Sequence, residues 1–244
     1  MCGFLATWLG IGGCFIRIPL MMFLFGLSIK TAYAVNMAVI AVATIPGVIS
    51  HYMMRHVFTK GFIVAATGAA VGVILGTQVA MYVPSAVLKA IFGIACIAVG
   101  IYMTTMAIKK KGAMPPRMTI DEINSLESGP KLCILMFLAG VATGLCGFGG
   151  GIYYMPIFNT LGYPMHVAIG TSSAQMIPVT AIGATNLTLH GFQNWFFVFW
   201  IGLVTLLFSW LGARTTKLMK AWALRAIFGV LIGVVGIIVA FGFI

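Results

Sequence analysis

Acidic side chains are nearly absent from this chain: three Asp and Glu in 244 residues, against 14 Lys and Arg. All three, Asp121, Glu122 and Glu127, fall in one short polar stretch. No apolar segment therefore carries a carboxylate. That argues against a carboxylate proton relay and against a Mg²⁺ or Ca²⁺ site, which is built from carboxylate oxygens. Charge of either sign is scarce, at 7% of residues against about 25% in soluble domains. With a mean hydropathy of +1.12, neither a water-soluble globule nor a disordered chain fits. The net charge of +11 lies on no soluble module, so nucleic acid is not an expected partner. Cysteines 2, 14, 96, 133 and 146 form no CxxC pair and no Cys/His ligand spacing. They read as small packing residues, and neither a metal nor a cofactor is implied.

What the chain has is long apolar runs. A helical span needs ~20 apolar residues. Such segments occur at about 2–25, 31–54, 61–83, 86–108, 132–161, 165–190, 195–213 and 222–244. The first shows no basic leader region or cleavage site, so no cleavable signal peptide is expected. The polar stretch 109–131 divides 1–108 from 132–244. Thr119 and Glu122 have capping-box spacing, which predicts a short interfacial helix near 120–127.

The halves repeat one another. Shifted by 136, Leu88-Lys89-Ala90-Ile91-Phe92-Gly93 falls on Leu224-Arg225-Ala226-Ile227-Phe228-Gly229, Gly26 on Gly162 and Gly100 on Gly236. Shifted by 137, Gly10, Gly12, Gly13 and Pro19 fall on Gly147, Gly149, Gly150 and Pro156. A duplication with a single-residue indel accounts for both shifts.

The glycine clusters are the strongest local signal. Clustered glycines oppose a continuous helix at about 1 kcal/mol each relative to Ala. Irregular backbone at membrane depth persists only where protein or a polar cavity satisfies it. Gly10, Gly12 and Gly13, and Gly147, Gly149, Gly150 and Gly151, therefore read as helix breaks. Gly68-Gly72-Gly76, Gly140-Gly144 and Gly229-Gly233 are spaced by four and read instead as close helix packing.

Charge counting decides how the breaks are threaded. If all eight segments cross, the basic residues other than Arg17 divide seven to six, with no positive-inside bias. If each glycine-broken segment enters and leaves on one side, the halves become inverted. Arg55, Lys60, the five basic residues of 109–131 and the four of 214–225 then share a side, eleven against Lys30 and Lys89 alone. The expected fold is an all-α polytopic membrane protein of two homologous halves, inverted repeats. Each half has a glycine-broken helix, re-entrant or discontinuous, plus three transmembrane helices. The linker and the 214–225 loop are expected to be cytoplasmic and the chain to lie in the cell membrane.

Inverted repeats with broken helices hold a substrate near the midplane, where half-helix N-termini offer N–H groups to an anion. Arg17 lies at that depth, and an intramembrane ionisable residue marks a functional candidate. Thr171, Gln175, Pro178, Ile182 and Asn186 share a helix face beside Ser172 and Ser173, and Asn36 holds the equivalent place in the first half. Hydroxyl and amide donors without acids suit an anion path. Interhelical hydrogen bonding is the plainer use of the same groups. His51, His56, His166 and His190 lie near segment ends and read as interfacial packing.

The duplicated Gly-x-Gly-Gly-(Gly)…Pro element at 10–19 and 147–156, and Ala168-Ile-Gly170-Thr171-Ser172-Ser173 after the second copy, resemble the sulfite exporter TauE/SafE family of membrane transporters. The likeness spans nearly the whole chain. The first half departs from it: Cys14 stands for the last glycine and Ala34-Val35-Asn36 for Gly170-Thr171-Ser172. The resemblance implies export of a small sulfur-containing anion, sulfite or an organosulfonate. Besides that anion, the partners expected are the lipid bilayer and a second copy of the chain as a homodimer. With no carboxylate relay, potential-driven uniport is expected. An anion channel would use the same donors. An intramembrane serine hydrolase pairing Ser172 or Ser173 with His190 is opposed by ~26 Å of helix between them.

Overall fold

The computed structural model describes residues 14–109, 129–215 and 221–240, and all regular structure in them is helical. Gly10, Gly12, Gly13, most of the 109–131 linker, Lys217 and Lys220 lie outside the described residues. In chain order the helices are α1 (Cys14–Phe25), α2 (Ile29–Ala43), α3 (Ile45–Met53), α4 (Thr59–Tyr82), α5 (Ser85–Lys109), α6 (Pro130–Cys146), α7 (Gly151–Thr160), α8 (Met165–Leu189), α9 (Trp195–Thr215) and α10 (Ala221–Ala240). Four stretches are long and apolar enough to cross a membrane: Ile29–Met53, Thr59–Tyr82, Ser85–Tyr102 and His166–Leu189.

The distribution of polarity reverses that of a soluble protein. Arg17, Asn36, Thr77, Thr143, Thr171, Ser172, Gln175 and Thr180 are buried, while Phe23, Ile94, Ile134 and Phe199 stand out from the bundle. Water would penalise both choices. A hydrocarbon solvent favours the outward apolar faces and drives polar groups together inside.

Glycines set the helix contacts. A Cβ on Gly68 would strike the Cys133 carbonyl, one on Gly72 that of Phe137, and one on Gly76 that of Val141, while one on Gly144 would lie 2.6 Å from the Thr77 nitrogen. Residue numbers rise together along this seam, so α4 and α6 run parallel. Along α5 and α10 they run oppositely. A Cβ on Gly100 would lie 2.6 Å from the Gly229 carbonyl and 2.9 Å from the Gly233 nitrogen; one on Gly236 would lie 2.8 Å from the Gly93 carbonyl and 2.9 Å from Ile97. Each of these contacts is the image of the other under the 136-residue shift.

The antiparallel and parallel seams fix two ends of the bundle. One end holds the 54–58 loop, the start of α4 with Lys60, the start of α6 with Lys131, and the ends of α5 and α9 with the start of α10. The opposite end holds the start of α2 with Lys30, the end of α4, the start of α5 with Lys89, and the end of α8. Lys30 Nζ donates to the Met81 carbonyl there. The helix starts also repeat: Ile29 and Met165, Thr59 and Trp195, and Ser85 and Ala221 each lie 136 residues apart.

Proline acts differently in the two halves. Pro46 sits in the first turn of α3, where its missing N–H costs nothing, and the chain turns at Thr44 between α2 and α3. Pro178 lies inside α8, which is continuous from Met165 to Leu189.

Candidate functional site

Between α6 and α7 the backbone leaves helical geometry for four residues. Gly147 (φ +68°), Gly149 (+64°) and Gly150 (+82°) occupy the left-handed region, which costs an L side chain and suits glycine. α6 closes with Gly147 N donating to the Thr143 carbonyl at 2.9 Å. α7 opens with Tyr153 N and Tyr154 N both donating to the Gly150 carbonyl. The earlier amides of α7 have no acceptor within their own helix. Tyr154 and Thr143 hydroxyls meet at 3.2 Å and tie the two limbs together. Tyr163, just past α7, lies against Phe58 and beneath Gly61 at the start of α4. Cys133 of α6 lies against Gly68 and Tyr163 against Gly61, both in the first half of α4, and the glycines fall between α6 and α7.

Side chains from the first half hold the glycine turn. Asn36 Nδ2 donates to the Gly147 carbonyl at 2.7 Å, and Asn36 Oδ1 accepts from Arg17 Nη1 at 2.9 Å. Asn36 is fully buried and Arg17 is 3% exposed. A carboxamide fits this place because it accepts from the cation and donates to the carbonyl at once. Arg17 thereby brings a guanidinium from α1 to within one side chain of the glycine turn. The space around the turn is tightly lined. A Cβ on Gly147 would lie 2.5 Å from the Tyr33 ring, and one on Gly149 would lie 2.6 Å from Ile40 and 3.3 Å from Thr180. The Phe148 ring centre lies 4.8 Å from that of Phe92 and 6.1 Å from that of Tyr153, both pairs tilted. The buried Tyr33 hydroxyl has no hydrogen-bond partner among the described residues.

Of the residues singled out from sequence, Arg17, Asn36, Gly147, Gly149 and Gly150 are together here, with Gly151 starting α7. The others on α8 are occupied elsewhere. Thr171 Oγ1 accepts from Phe58 N at 3.1 Å, and Ser172 Oγ donates to the Ile169 carbonyl of its own helix. Ser173 is 8% exposed on the same turn. Gln175 Nε2 donates to the Ala65 carbonyl of α4, leaving its buried Oε1 without a partner among the described residues. Asn186 meets Thr77 and Gln78 of α4. Tyr33, Ile40 and Thr180 were not singled out. Composition gives no sign of them, since only the tertiary fold brings α2 and the middle of α8 to the glycine turn.

Residues 1–239 match the family model described as sulfite exporter TauE/SafE. The chain belongs to the sulfite exporter TauE/SafE family. Its relatives bear the same general name. A probable membrane transporter protein of Methanocaldococcus jannaschii is 30% identical over 74% of this chain and 66% of its own length. Another, of Bacillus subtilis, is 23% identical over 98% of this chain and 96% of its own. A third, of Xylella fastidiosa, is 28% identical over 92% and 88%. No solved structure matches the chain. TauE/SafE membership places the chain with membrane transporters and not with enzymes.

Proposed function

We propose that this TauE/SafE protein exports a small sulfur-bearing anion, sulfite or an organosulfonate, across the cell membrane from a site at the glycine turns. The observation that carries this reading is the Arg17–Asn36–Gly147 chain of hydrogen bonds. It sets a fixed positive charge beside a turn whose following helix offers amides with no intrahelical acceptor. Arg17, Asn36, Gly147, Gly149, Gly150 and Gly151 coordinate the anion, with the Tyr33 hydroxyl as a further donor. Gly10, Gly12 and Gly13, which match Gly147, Gly149 and Gly150 in the 137-residue repeat, join them in binding the anion. Thr171, Ser172, Ser173 and Gln175 border the path toward the Phe58 end. The halves are inverted repeats with paired re-entrant hairpins. The reciprocal Gly100–Gly229 and Gly236–Gly93 contacts on antiparallel helices support that arrangement. The gathering of Arg55, Lys60 and Lys131 at one end, against Lys30 and Lys89 at the other, supports a cytoplasmic linker.

Export is driven by the membrane potential. All three carboxylates of the chain lie at 121–127, and an anion leaving a negative interior gains about 2.3 kcal/mol per charge per 100 mV. The test is ³⁵S-sulfite flux in proteoliposomes at a clamped potassium-diffusion potential. Flux should rise when the receiving side is made positive and should need no pH gradient. Flux indifferent to potential but following a proton gradient refutes uniport. An anion channel, the second reading, conducts without saturation or counter-transport in the same vesicles.

A further inference from the structure

The two ends of the bundle carry equivalent contacts made from different residues. At one end Lys30 Nζ lies 5.7 Å from the centre of the Phe192 ring. The 136-residue shift carries Lys30 onto His166 and His56 onto Phe192, and at the other end the His56 and His166 rings sit 4.9 Å apart. His51, in the last turn of α3, lies 5.8 Å from His56. One end therefore has a permanent cation on a neutral ring, and the other has three rings that can each take a proton.

We propose that His51, His56 and His166 form a proton-binding site that locks the 54–58 loop onto α8 when neutral and releases it when protonated. The lock is small and specific. Phe58 N donates to Thr171 Oγ1. The His56 carbonyl lies so near Gly170 that a Cβ there would strike it. His56 N donates to the His51 carbonyl at 2.9 Å, closing the turn. Arg55 holds φ +55° in that turn, a conformation costly for a residue with a Cβ. Nδ1 of His51 and of His56 are buried with no hydrogen-bond partner among the described residues. Doubly protonated rings would thus bury N–H donors lacking acceptors and place like charges within about 5–6 Å of one another.

The charged and titratable neighbours are Arg55 in the loop, Lys60 on α4, His166 on α8 and Tyr163 after α7; the chain's three carboxylates all belong to the 109–131 linker. Burial first, and His166 second, push the His56 imidazole below its ordinary value of 6.5. A depressed histidine favours the packed, neutral state above the ordinary pKa. That preference is lost as pH falls through the lowered one. Acid therefore loosens this mouth and leaves the Lys30–Phe192 mouth unchanged. A role in gating the path rests on the anion-export reading; release of the loop does not.

The experiment places a single cysteine at Val57→Cys, in the loop, or at Ser85→Cys, at the opposite end, in a background with all five native cysteines replaced. Labelling by a methanethiosulfonate reagent is followed in nanodiscs from pH 7.5 to 5.5, and the ratio of the two rates cancels the titration of the thiol itself. The ratio should rise at least about fivefold on acidification, as positive charge enters a cluster that is neutral when locked. It should stay flat in His51→Gln/His56→Gln/His166→Gln. His166→Gln alone, the milder variant, relieves the push of His166 on His56 and should move the rise to higher pH and shrink it, because one like charge is gone. A flat ratio in the parent, or an undiminished rise in both variants, overturns the site. A pH-dependent ratio in a protein that moves no sulfite or organosulfonate keeps the proton site and overturns the export reading instead.

Discussion

Replacing Asn36 by Asp tests the anion site more sharply than removing Arg17, because it keeps the guanidinium in place and changes only what it faces. Asn36 Oδ1 lies 2.9 Å from Arg17 Nη1, so the new carboxylate would form a contact ion pair. Beside a cation it stays ionised. An anion about 4 Å from Arg17 is held by about 4 kcal/mol at an effective dielectric of 20. A carboxylate about 6 Å from that anion repels it by about 3 kcal/mol on the same scale. The net attraction falls to about 1 kcal/mol, which weakens binding about a hundredfold. The Gly147 carbonyl also loses its donor, at a further cost of roughly 1–3 kcal/mol in stability. The assay is concentration-dependent ³⁵S-sulfite flux, with thermal unfolding in detergent as a control for folding. Asn36→Ala separates the effects: it loses both hydrogen bonds without adding a charge, so its flux should fall less than that of Asn36→Asp. Half-saturation of Asn36→Asp within threefold of wild type would show that the transported anion does not use the charge on Arg17.

Gly149→Val should abolish transport with expression intact, because φ is +64° there and the added Cβ meets Ile40 and Thr180; normal flux moves the site elsewhere. Gly72→Ala should lower thermal stability by about 1–3 kcal/mol, since its Cβ meets backbone of α6. Gly47→Ala, with nothing within 4 Å, should raise it by up to about 1 kcal/mol; equal effects would refute the packing account. Single cysteines at Ser125 and Ala221 should both resist an impermeant thiol reagent added outside intact cells, and opposite labelling restores eight crossing segments.

The helices were legible because long apolar runs end at strong punctuation. The run at 61–83 becomes Thr59–Tyr82, stopped by Pro84; that at 86–108 becomes Ser85–Lys109; that at 195–213 becomes Trp195–Thr215. Gly147, Gly149 and Gly150 stand out in the sequence because they hold backbone angles that other residues avoid. The interruption at Thr44 was harder to place. Pro46 marks it only approximately, and Pro178 leaves α8 unbroken. Thr171, Gln175 and Asn186 share a face of α8 on a helical wheel, but the wheel does not say which neighbour that face meets. Gln175 and Asn186 meet α4, as interhelical hydrogen bonds do. The histidine group escaped because its members are spread from 51 to 166. Sliding the repeat one step further, onto Lys30 and His166, is the signal that could have found it.

The two halves differ most where chemistry is concentrated. The 137-residue shift carries Arg17 onto Tyr154, whose hydroxyl is occupied by Thr143, and the 136-residue shift carries Asn36 onto Ser172, whose hydroxyl turns back to its own helix. The duplication therefore does not duplicate the guanidinium. Two such charges converging at one midplane site would repel each other when it is empty and hold an anion too firmly when it is full. Conduction and transport alike need binding strong enough to enter and weak enough to leave. Under the proposed anion site, a single Arg17 held by Asn36 and supplemented by neutral amides and a tyrosine hydroxyl would meet both conditions. The same sequence shift sets Lys30 at one end against His166 at the other, so under the proposed proton site one mouth would keep a constant charge and the other would respond to acid.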